Sequence, residues 1–247
     1  MGSGQPVVLF DLGGTLVDLR ALLDATADVV RDAFPRASGE ATRIARRCAE
    51  EMAKELPLAQ GPRFVPERQV AARALRGALE VSGVRVDARG ATRLVALTRT
   101  AFLGRVRLFD DVDRPWLESL RELVAGIGLV SDVDEEDLRA ILVKVGLASS
   151  FDAVTSSESV RSYKPDRRIY EAAINALGAD PRRAFFVSDS ATDLQGASAL
   201  GMRPVHIVRT SSSDGTARPA GTRVLTRLRE LDALLRANAR VSGRGTT

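Results

Sequence analysis

The sequence contains few of the side chains that most often carry catalysis or bind metals. Its 247 residues include one cysteine, Cys48, and one histidine, His206. A single cysteine excludes an intramolecular disulfide and a cysteine-based metal cluster. A single histidine excludes a multi-histidine zinc site and argues against a serine–histidine–aspartate hydrolase. We therefore expect Cys48 to pack on the apolar face of a helix and His206 to lie in a buried strand.

Long hydrophobic segments are also missing. No apolar run approaches the roughly 18 residues that a membrane-spanning helix needs. The N-terminus lacks a basic segment followed by a long apolar one, which argues against a signal peptide. The sequence therefore predicts a cytoplasmic protein without a membrane partner. We expect disordered tails over residues 1–5 and 239–247.

Aromatic residues and lysines are scarce, whereas arginines are abundant. Aromatic residues make up 4% of the chain, and the 36 basic residues outnumber the 32 acidic ones, for a net charge of +4. The arginines are spread along the chain, without the basic stripe and interleaved aromatics typical of nucleic-acid-binding proteins. This composition favours a small anionic substrate over a nucleic-acid partner. We expect a monomer or homodimer.

Short apolar runs alternate with helical patterns over most of the chain. Val7–Phe10, Ile127–Val130 and Ala184–Val187 are typical of strands buried on both faces. Further strands are predicted at residues 153–155, 204–208 and 224–225, and a loop at 211–215. Strands alternating with helices predict an α/β fold with a doubly wound parallel sheet.

Residues 19–104 contain no convincing strand. Apolar residues recur there at helical spacing, with breaks at prolines and glycines, which predicts about four helices. We therefore expect an all-α helical cap over 19–104, inserted into an α/β core formed by 6–18 and 105–238. Within this core, Asp134 is expected to begin a helix, with Asp137 as a capping-box partner.

Polar side chains follow the predicted strands. Asp11 ends the first strand and Ser131 the second, Lys164 follows the third, and Asp189 and Asp193 follow the fourth. In an open α/β sheet, ligands bind outside the carboxyl ends of the strands. A site with many oxygens, one ammonium and neither imidazole nor thiol suits Mg²⁺.

Four segments resemble the ordered motifs of the haloacid dehalogenase superfamily of aspartyl-nucleophile hydrolases. They are FDLGGTLVD (Phe10–Asp18), GLVSD (Gly128–Asp132), SYKPDRRIYE (Ser162–Glu171) and FFVSDSATDLQGASALGM (Phe185–Met202). Together they extend over most of the chain. The resemblance implies a Rossmann-like core with a small inserted helical cap, as in the haloacid dehalogenase and phosphoglycolate phosphatase branch.

The resemblance also implies roles for individual residues. Asp11 would be the nucleophile and would form an aspartyl-phosphate that water hydrolyses. Lys164 would neutralise charge on the nucleophile and the phosphate. Ser131 and the backbone N–H groups beside Leu12 and Gly13 would bind the phosphoryl oxygens.

A magnesium ion is implied at the same place. Asp11, the backbone carbonyl of Gly13 and the carboxylate of Asp189 would hold Mg²⁺. Asp193 would bind a metal-bound water or orient Lys164.

One position departs from the pattern of the phosphatases. They usually carry a second aspartate two residues after the nucleophile, which protonates the leaving alkoxide, and here that position is Gly13. General acid–base help of this kind contributes about 10²–10⁴-fold. Three interpretations are open: another group such as Asp18, a cap residue or the substrate supplies the proton; the substrate has a good leaving group; or the reaction is not phosphate ester hydrolysis.

The acidic pair Asp189 and Asp193 argues for a metal, so the main expectation is a Mg²⁺-dependent phosphatase acting on a small phosphorylated metabolite. The first alternative is a metal-independent haloacid dehalogenase-type hydrolase, because those enzymes also lack the second aspartate. The second is a weakly catalytic or non-catalytic phosphate-binding relative. A phosphonoacetaldehyde hydrolase would need a cap lysine, and Lys54 has the pattern of a surface residue.

Overall fold

The computed structural model describes residues 5–209 and 216–242, the last three of them by backbone alone. The predicted loop at 211–215 and most of the predicted tails lie outside these residues. The C-terminal tail was predicted to begin too early, since the last helix runs to Ser242. Leu231 and Leu235 anchor this helix in the core, and good helix formers such as alanine and arginine continue it.

Six strands form a fully parallel sheet in the order β3-β2-β1-β4-β5-β6. The strands are β1 (Val7–Asp11), β2 (Gly126–Ser131), β3 (Ala153–Ser156), β4 (Ala184–Ser188), β5 (Arg203–Ile207) and β6 (Arg223–Leu225). All six predicted strands are confirmed within one or two residues. The strand order reverses direction at β1, and this is where doubly wound folds bind their ligands.

Four helices separate β1 from β2 in the chain. They are α1 (Arg20–Ala33), α2 (Ala41–Glu55), α3 (Glu67–Val81) and α4 (Ala88–Arg105). Their inward faces form a buried cluster of their own, which is rich in alanine and includes Ile44, Leu75 and Leu79. The inserted all-α cap is therefore confirmed, and α1–α4 are called the cap below. The predicted domain boundaries stay predictions.

The remaining helices flank the sheet. They are α5 (Arg114–Leu120), α6 (Glu135–Lys144), α7 (Ser157–Val160), α8 (Arg167–Ala176), α9 (Ala191–Ala199) and α10 (Leu231–Ser242). Short 3₁₀ turns lie at Pro35–Glu40, Leu56–Leu58, Gly61–Arg63, Pro181–Arg183 and Leu228–Glu230. None of the helices within the described residues is long and apolar enough to cross a membrane.

Adjacent residues of β1 bury into opposite layers. Phe10 packs in one apolar cluster with Trp116 and Leu129, whereas Leu9 packs in another with Tyr170 and Phe186. Successive side chains of a strand point to opposite faces, and both faces are covered here. The Rossmann-like α/β fold is therefore confirmed.

One aspartate joins the cap to the core. Asp134 precedes α6, but its side chain does not cap that helix. Instead its carboxylate, which is fully buried, accepts the backbone N–H groups of Glu67 (2.7 Å) and Arg68 (3.0 Å) at the start of α3. The predicted capping box with Asp137 is therefore wrong. The N-terminus of α3 has its own unpaired donors and positive dipole end, and it attracts the carboxylate across the interface.

This contact predicts a large stability difference between two capping aspartates. We expect Asp134→Ala to lower the free energy of unfolding by about 2–3 kcal/mol, because it leaves buried donors unpaired. Asp87 is an exposed N-cap at the start of α4, where it accepts the Gly90 N–H. Asp87→Ala should lower the free energy of unfolding by about 1 kcal/mol. Urea unfolding of both variants measures the difference. Equal losses in the free energy of unfolding would contradict a stabilising role for the contact between Asp134 and α3.

Candidate active site

The carboxyl ends of the central strands place the predicted site residues at one edge of the sheet. In the parallel register, Asp11 lies beside Val130 of β2, and Phe10 lies beside Val187 of β4. The loops that follow these strands therefore emerge next to Asp11. This confirms the expectation that the strand ends meet at a common edge.

Lys164 is the centre of a cluster of charges at this edge. Its ammonium donates a hydrogen bond to Oδ1 of Asp11 and lies 2.7 Å from Oδ2 of Asp193 and 4.0 Å from Oδ2 of Asp132. Asp11 and Lys164 are each only 6% exposed. Asp132 also accepts the backbone N–H of Lys164 at 2.9 Å, which fixes the start of the lysine's loop.

The cluster shifts the protonation of its members. Burial raises the pKa of Asp11, and Asp193 raises it further, whereas Lys164 opposes the shift. Burial likewise raises the pKa of Asp132 to about 7 against the effect of Lys164. Burial would lower the pKa of Lys164, but the surrounding carboxylates hold it well above its ordinary value. The lysine therefore stays charged while the carboxylates compete for it.

The turn after Asp11 is shaped by a glycine. Gly14 has a φ of +77°, and a Cβ atom there would lie 2.2 Å from a carboxylate oxygen of Asp189. Only glycine combines this conformation with so close an approach. The side chain of Asp189 is thereby held against the turn that carries the nucleophile candidate.

Thr15 links the two sides of the site and did not emerge from the sequence analysis. Its hydroxyl lies 3.1 Å from Oδ2 of Asp11 and 3.4 Å from Oδ1 of Asp189. It also accepts the backbone N–H of Asp189 at 3.1 Å. A polar residue four positions after the nucleophile, in a turn rich in glycine, was the available signal.

The other predicted site residues lie nearby. Ser131 ends β2, is 2% exposed, and accepts the Val133 N–H at 3.3 Å. Leu12 is buried, and its carbonyl accepts the N–H groups of Leu16 and Val17. Gly13 follows it and is half-buried. Phosphate binding by Leu12, Gly13, Ser131 and Lys164 stays a prediction.

The expected magnesium ligands were Asp11, the Gly13 carbonyl, Asp189 and Asp193. Among residues 5–209 and 216–242, no group of three or more His, Cys, Asp or Glu side chains is arranged to hold a metal ion. The Lys164 ammonium bonds both Asp11 and Asp193, the place where a cation would neutralise them. In this arrangement Lys164 occupies the position of a cation between Asp11 and Asp193. Magnesium binding stays a prediction.

The sequence offers two further candidates, Asp18 as a proton donor and Lys54 as a cap lysine. Hydrogen bonds from Arg20, together with Arg107, hold the pKa of Asp18 far below its usual range, which favours its ionised form over that of a proton donor. Lys54 pairs with Glu51 at 2.9 Å on the surface of α2, and its side chain is 68% exposed.

An ion pair between Arg209 and Asp111 contacts the loop that carries Thr15. The Arg209 guanidinium donates to both carboxylate oxygens of Asp111 (2.8 and 2.9 Å) and to the carbonyl of Thr15 (2.7 Å). Arg209 also lies over the ring of Phe109, 4.0 Å from its centre. Asp111 further accepts the Leu228 N–H. These contacts fix the backbone that positions the Thr15 hydroxyl.

The His206 side chain contacts the backbone carbonyl of Asp189. Its Nε2 lies 3.0 Å from the carbonyl of Asp189, and Arg218 donates to its Nδ1. In the sheet register, His206 of β5 pairs with Ser188 of β4. The predicted strand location of His206 is confirmed.

A family model for haloacid dehalogenase-like hydrolases matches residues 6–201. The chain belongs to this family. Among its relatives, the (S)-2-haloacid dehalogenase of Pseudomonas sp. (strain YL) is 32% identical over 208 residues, which cover 83% of each chain. The phosphoglycolate phosphatase of Caulobacter vibrioides is 29% identical over 205 residues, or 79% of this chain and 76% of the relative.

Solved structures agree on the fold of this haloacid dehalogenase-like hydrolase. The L-2-haloacid dehalogenase of Xanthobacter autotrophicus superimposes with a TM-score of 0.78 over 94% of this chain and 98% of that chain, at 24% identity. The comparisons favour the dehalogenase alternative over the phosphatase expected from the acidic pair. The phosphatase expectation is not confirmed by these comparisons.

The raised pKa of Asp132 predicts a pH-dependent stability. A carboxyl that titrates near 7 in the folded protein and near 4 when unfolded binds its proton more tightly when folded. The protonated Asp132 therefore makes its full contribution to the free energy of unfolding below about pH 4. This contribution is lost as the pH rises toward 7. We expect Asp132→Asn to gain stability relative to the native protein across this window, measured by urea unfolding at several pH values.

Asp152→Asn is the control for this measurement. Burial of Asp152 is outweighed by hydrogen bonds from the Ile127 N–H and Arg121, which lower its pKa. Relative to the native protein, this variant should lose stability as the pH rises from about 3 to 5. If Asp132→Asn follows the same direction, the assigned pKa of Asp132 is wrong.

The ion pair between Arg209 and Asp111 predicts an effect on kcat, because Arg209 also bonds the carbonyl of Thr15. Arg209→Met should lower kcat for hydrolysis by about 10- to 100-fold with little change in KM, because small displacements of reacting groups are costly. Arg209→Lys retains one donor and should recover part of the rate. Arg121→Met is the matched control: Arg121 also bonds an aspartate, Asp152, and a carbonyl, that of Ser150, but beside the N-terminal ends of the strands. An equal loss in both variants would indicate a purely structural effect.

Proposed function

We propose that this hydrolase cleaves the carbon–halogen bond of a small 2-halocarboxylate through an ester intermediate on Asp11. The proposal rests on one observation: the buried carboxylate of Asp11 is held by Lys164 and Thr15, while Gly13 offers no acid beside it. A halide leaves as a stable anion and needs no proton. An alkoxide leaving from a phosphate ester needs the acid that Gly13 lacks.

The charge of the cluster supports a singly charged substrate. Asp11, Asp132, Asp189 and Asp193 are four carboxylates around the single ammonium of Lys164. A phosphate monoester dianion would add two negative charges to this cluster, whereas a halocarboxylate adds one. These carboxylates repel every further negative charge, so the repulsion is smaller for the halocarboxylate.

The relatives support the same reaction. The similarity to an (S)-2-haloacid dehalogenase extends over 83% of both chains, at 32% identity. The phosphatase relative is less similar at 29% identity.

The reaction proceeds in two displacements. An oxygen of Asp11 forms a bond to the α-carbon as the carbon–halogen bond breaks, and the halogen leaves with the electron pair. Burial raises the pKa of Asp11, and Lys164 opposes that rise and so favours the ionised form. Water then attacks the ester carbonyl of Asp11 and releases a 2-hydroxycarboxylate. Asp189 and Asp193 are the neighbouring carboxylates placed to accept the water's proton.

A magnesium-dependent phosphatase is the second candidate. Asp189 favours it, because a carboxylate held against the nucleophile's turn is a common magnesium ligand. Lys164 would then have to release Asp11 or Asp193 to make room for the ion.

One experiment separates the two reactions. The purified protein is incubated with (S)-2-chloropropanoate and, separately, with alkyl and aryl phosphates, each with EDTA and with Mg²⁺. We expect halide release that persists in EDTA and falls by more than about 10³-fold in Asp11→Asn, because the nucleophile is lost.

Asp113→Asn is the control, since Asp113 caps α5 outside the site and asparagine caps helices equally well. Its halide release should match that of the native protein. Phosphate release that requires Mg²⁺, without halide release, would replace the proposal by the phosphatase reaction.

A further inference from the structure

A cavity of about 130 Å³ lies between the cap and the core. Its wall is mainly apolar and includes Leu19 of the entry to α1, Cys48 of α2, Ala71 and Leu75 of α3, and Phe102 of α4. The cavity thus reaches into the interior of the four-helix cap. Its size is close to that of cavities known to accept a benzene molecule, about 150 Å³.

The cavity adjoins the nucleophile. Leu12 and Gly13, the two residues after Asp11, form part of its wall. A Cβ atom at Gly13 would lie 2.9 Å from Cδ1 of Leu19. A carboxyl-bearing side chain at this position would therefore push against the apolar wall. Gly13 keeps this side of the nucleophile apolar and free of a second acid.

We propose that this cavity binds an uncharged apolar substituent, of about four to six carbons, attached to the reacting carbon of the substrate. The identity of the reacting end rests on the proposed function. The size and lining of the cavity suit the remaining part of the substrate, an alkyl or phenyl group that extends from Asp11 into the cap.

The polar groups in the wall restrict the ligand further. Arg99 already pairs with Glu67 of α3 and Asp137 of α6, so two acids oppose one base. Burial raises the pKa of Glu67, which shows how poorly this environment tolerates another negative charge. A second carboxylate on the substrate is therefore disfavoured.

One buried hydroxyl in the wall is available to a ligand. Thr98 is 6% exposed, and its Oγ1 has no hydrogen-bond partner among the described residues. Buried hydroxyl groups in proteins are normally paired. The Thr98 hydroxyl can therefore donate a hydrogen bond to a ligand in this mainly apolar cavity.

Binding of unreactive acids tests this inference without turnover. Isothermal titration calorimetry compares propanoate, hexanoate and adipate on the native protein. Each methylene group transferred from water favours binding by a factor of about four, so hexanoate, with three more methylene groups, should bind about 60-fold more tightly than propanoate. Adipate should bind more weakly than hexanoate because of its second charge.

A filled cavity should abolish this preference. Ala71→Leu adds three carbons to the wall and should reduce hexanoate affinity to that of propanoate, with propanoate unchanged. Ala72→Leu is the matched control, because Ala72 is the next residue of α3, is similarly buried, and faces a groove on the other side, between α3 and α4. It should retain the preference for hexanoate, and circular dichroism checks that both variants are folded.

The inference is overturned if hexanoate shows no detectable binding at about 10 mM, or binds no better than propanoate, or keeps its advantage in folded Ala71→Leu. These outcomes do not depend on halide release. If hexanoate is preferred but no halide is released from any 2-halocarboxylate, the cavity stands and the proposed function fails. If halide is released equally well from 2-bromopropanoate and 2-bromohexanoate, with equal kcat/KM, the reaction stands and the cavity inference fails.

Discussion

The ammonium of Lys164 is the interaction on which the site depends. It is buried, it bonds Asp11 and Asp193, and it lies 4.0 Å from Asp132. Without it, three carboxylates would share a poorly solvated space, and each would raise the pKa of the others. A compact point charge on a flexible chain can serve several carboxylates at once, which the planar guanidinium of an arginine does less well. In a chain with 36 basic residues and only three lysines, the choice of lysine here has a physical reason.

The absence of a side chain at Gly13 sets the second constraint. It removes the acid that a poor leaving group needs, and it leaves an apolar wall beside the nucleophile. Both consequences underlie the proposed substrate, whose leaving group departs unaided and whose remaining atoms are largely hydrocarbon. The surroundings of Asp11 are therefore polar on the side of Lys164 and Thr15 and mainly apolar on the side of the cap.

Much of this arrangement follows from local sequence pattern. Buried runs such as Val7–Phe10 and Ala184–Val187 fixed the strands, and parallel strands bring Asp11, Ser131 and Asp189 to one edge. Contacts between distant segments were out of reach. The Asp134 carboxylate caps a helix 67 residues earlier in the chain, and Arg209 supports Thr15 across 194 residues. Nothing in the spacing of these residues distinguishes them from an ordinary helix cap and a surface arginine.

The acidic pair after β4 shows why motif and function can diverge. In sequence, Asp189 and Asp193 suggest a metal site because two carboxylates close together usually need a cation. In the structure, Asp193 already has one, the ammonium of Lys164, and Asp189 lies against the Gly14 turn with Thr15 between it and Asp11. The charge of Asp193 is therefore paired within the protein, whereas Asp189 contacts a hydroxyl group. A carboxylate that holds a lysine, as Asp193 does, positions that lysine against Asp11, and this task needs no metal ion.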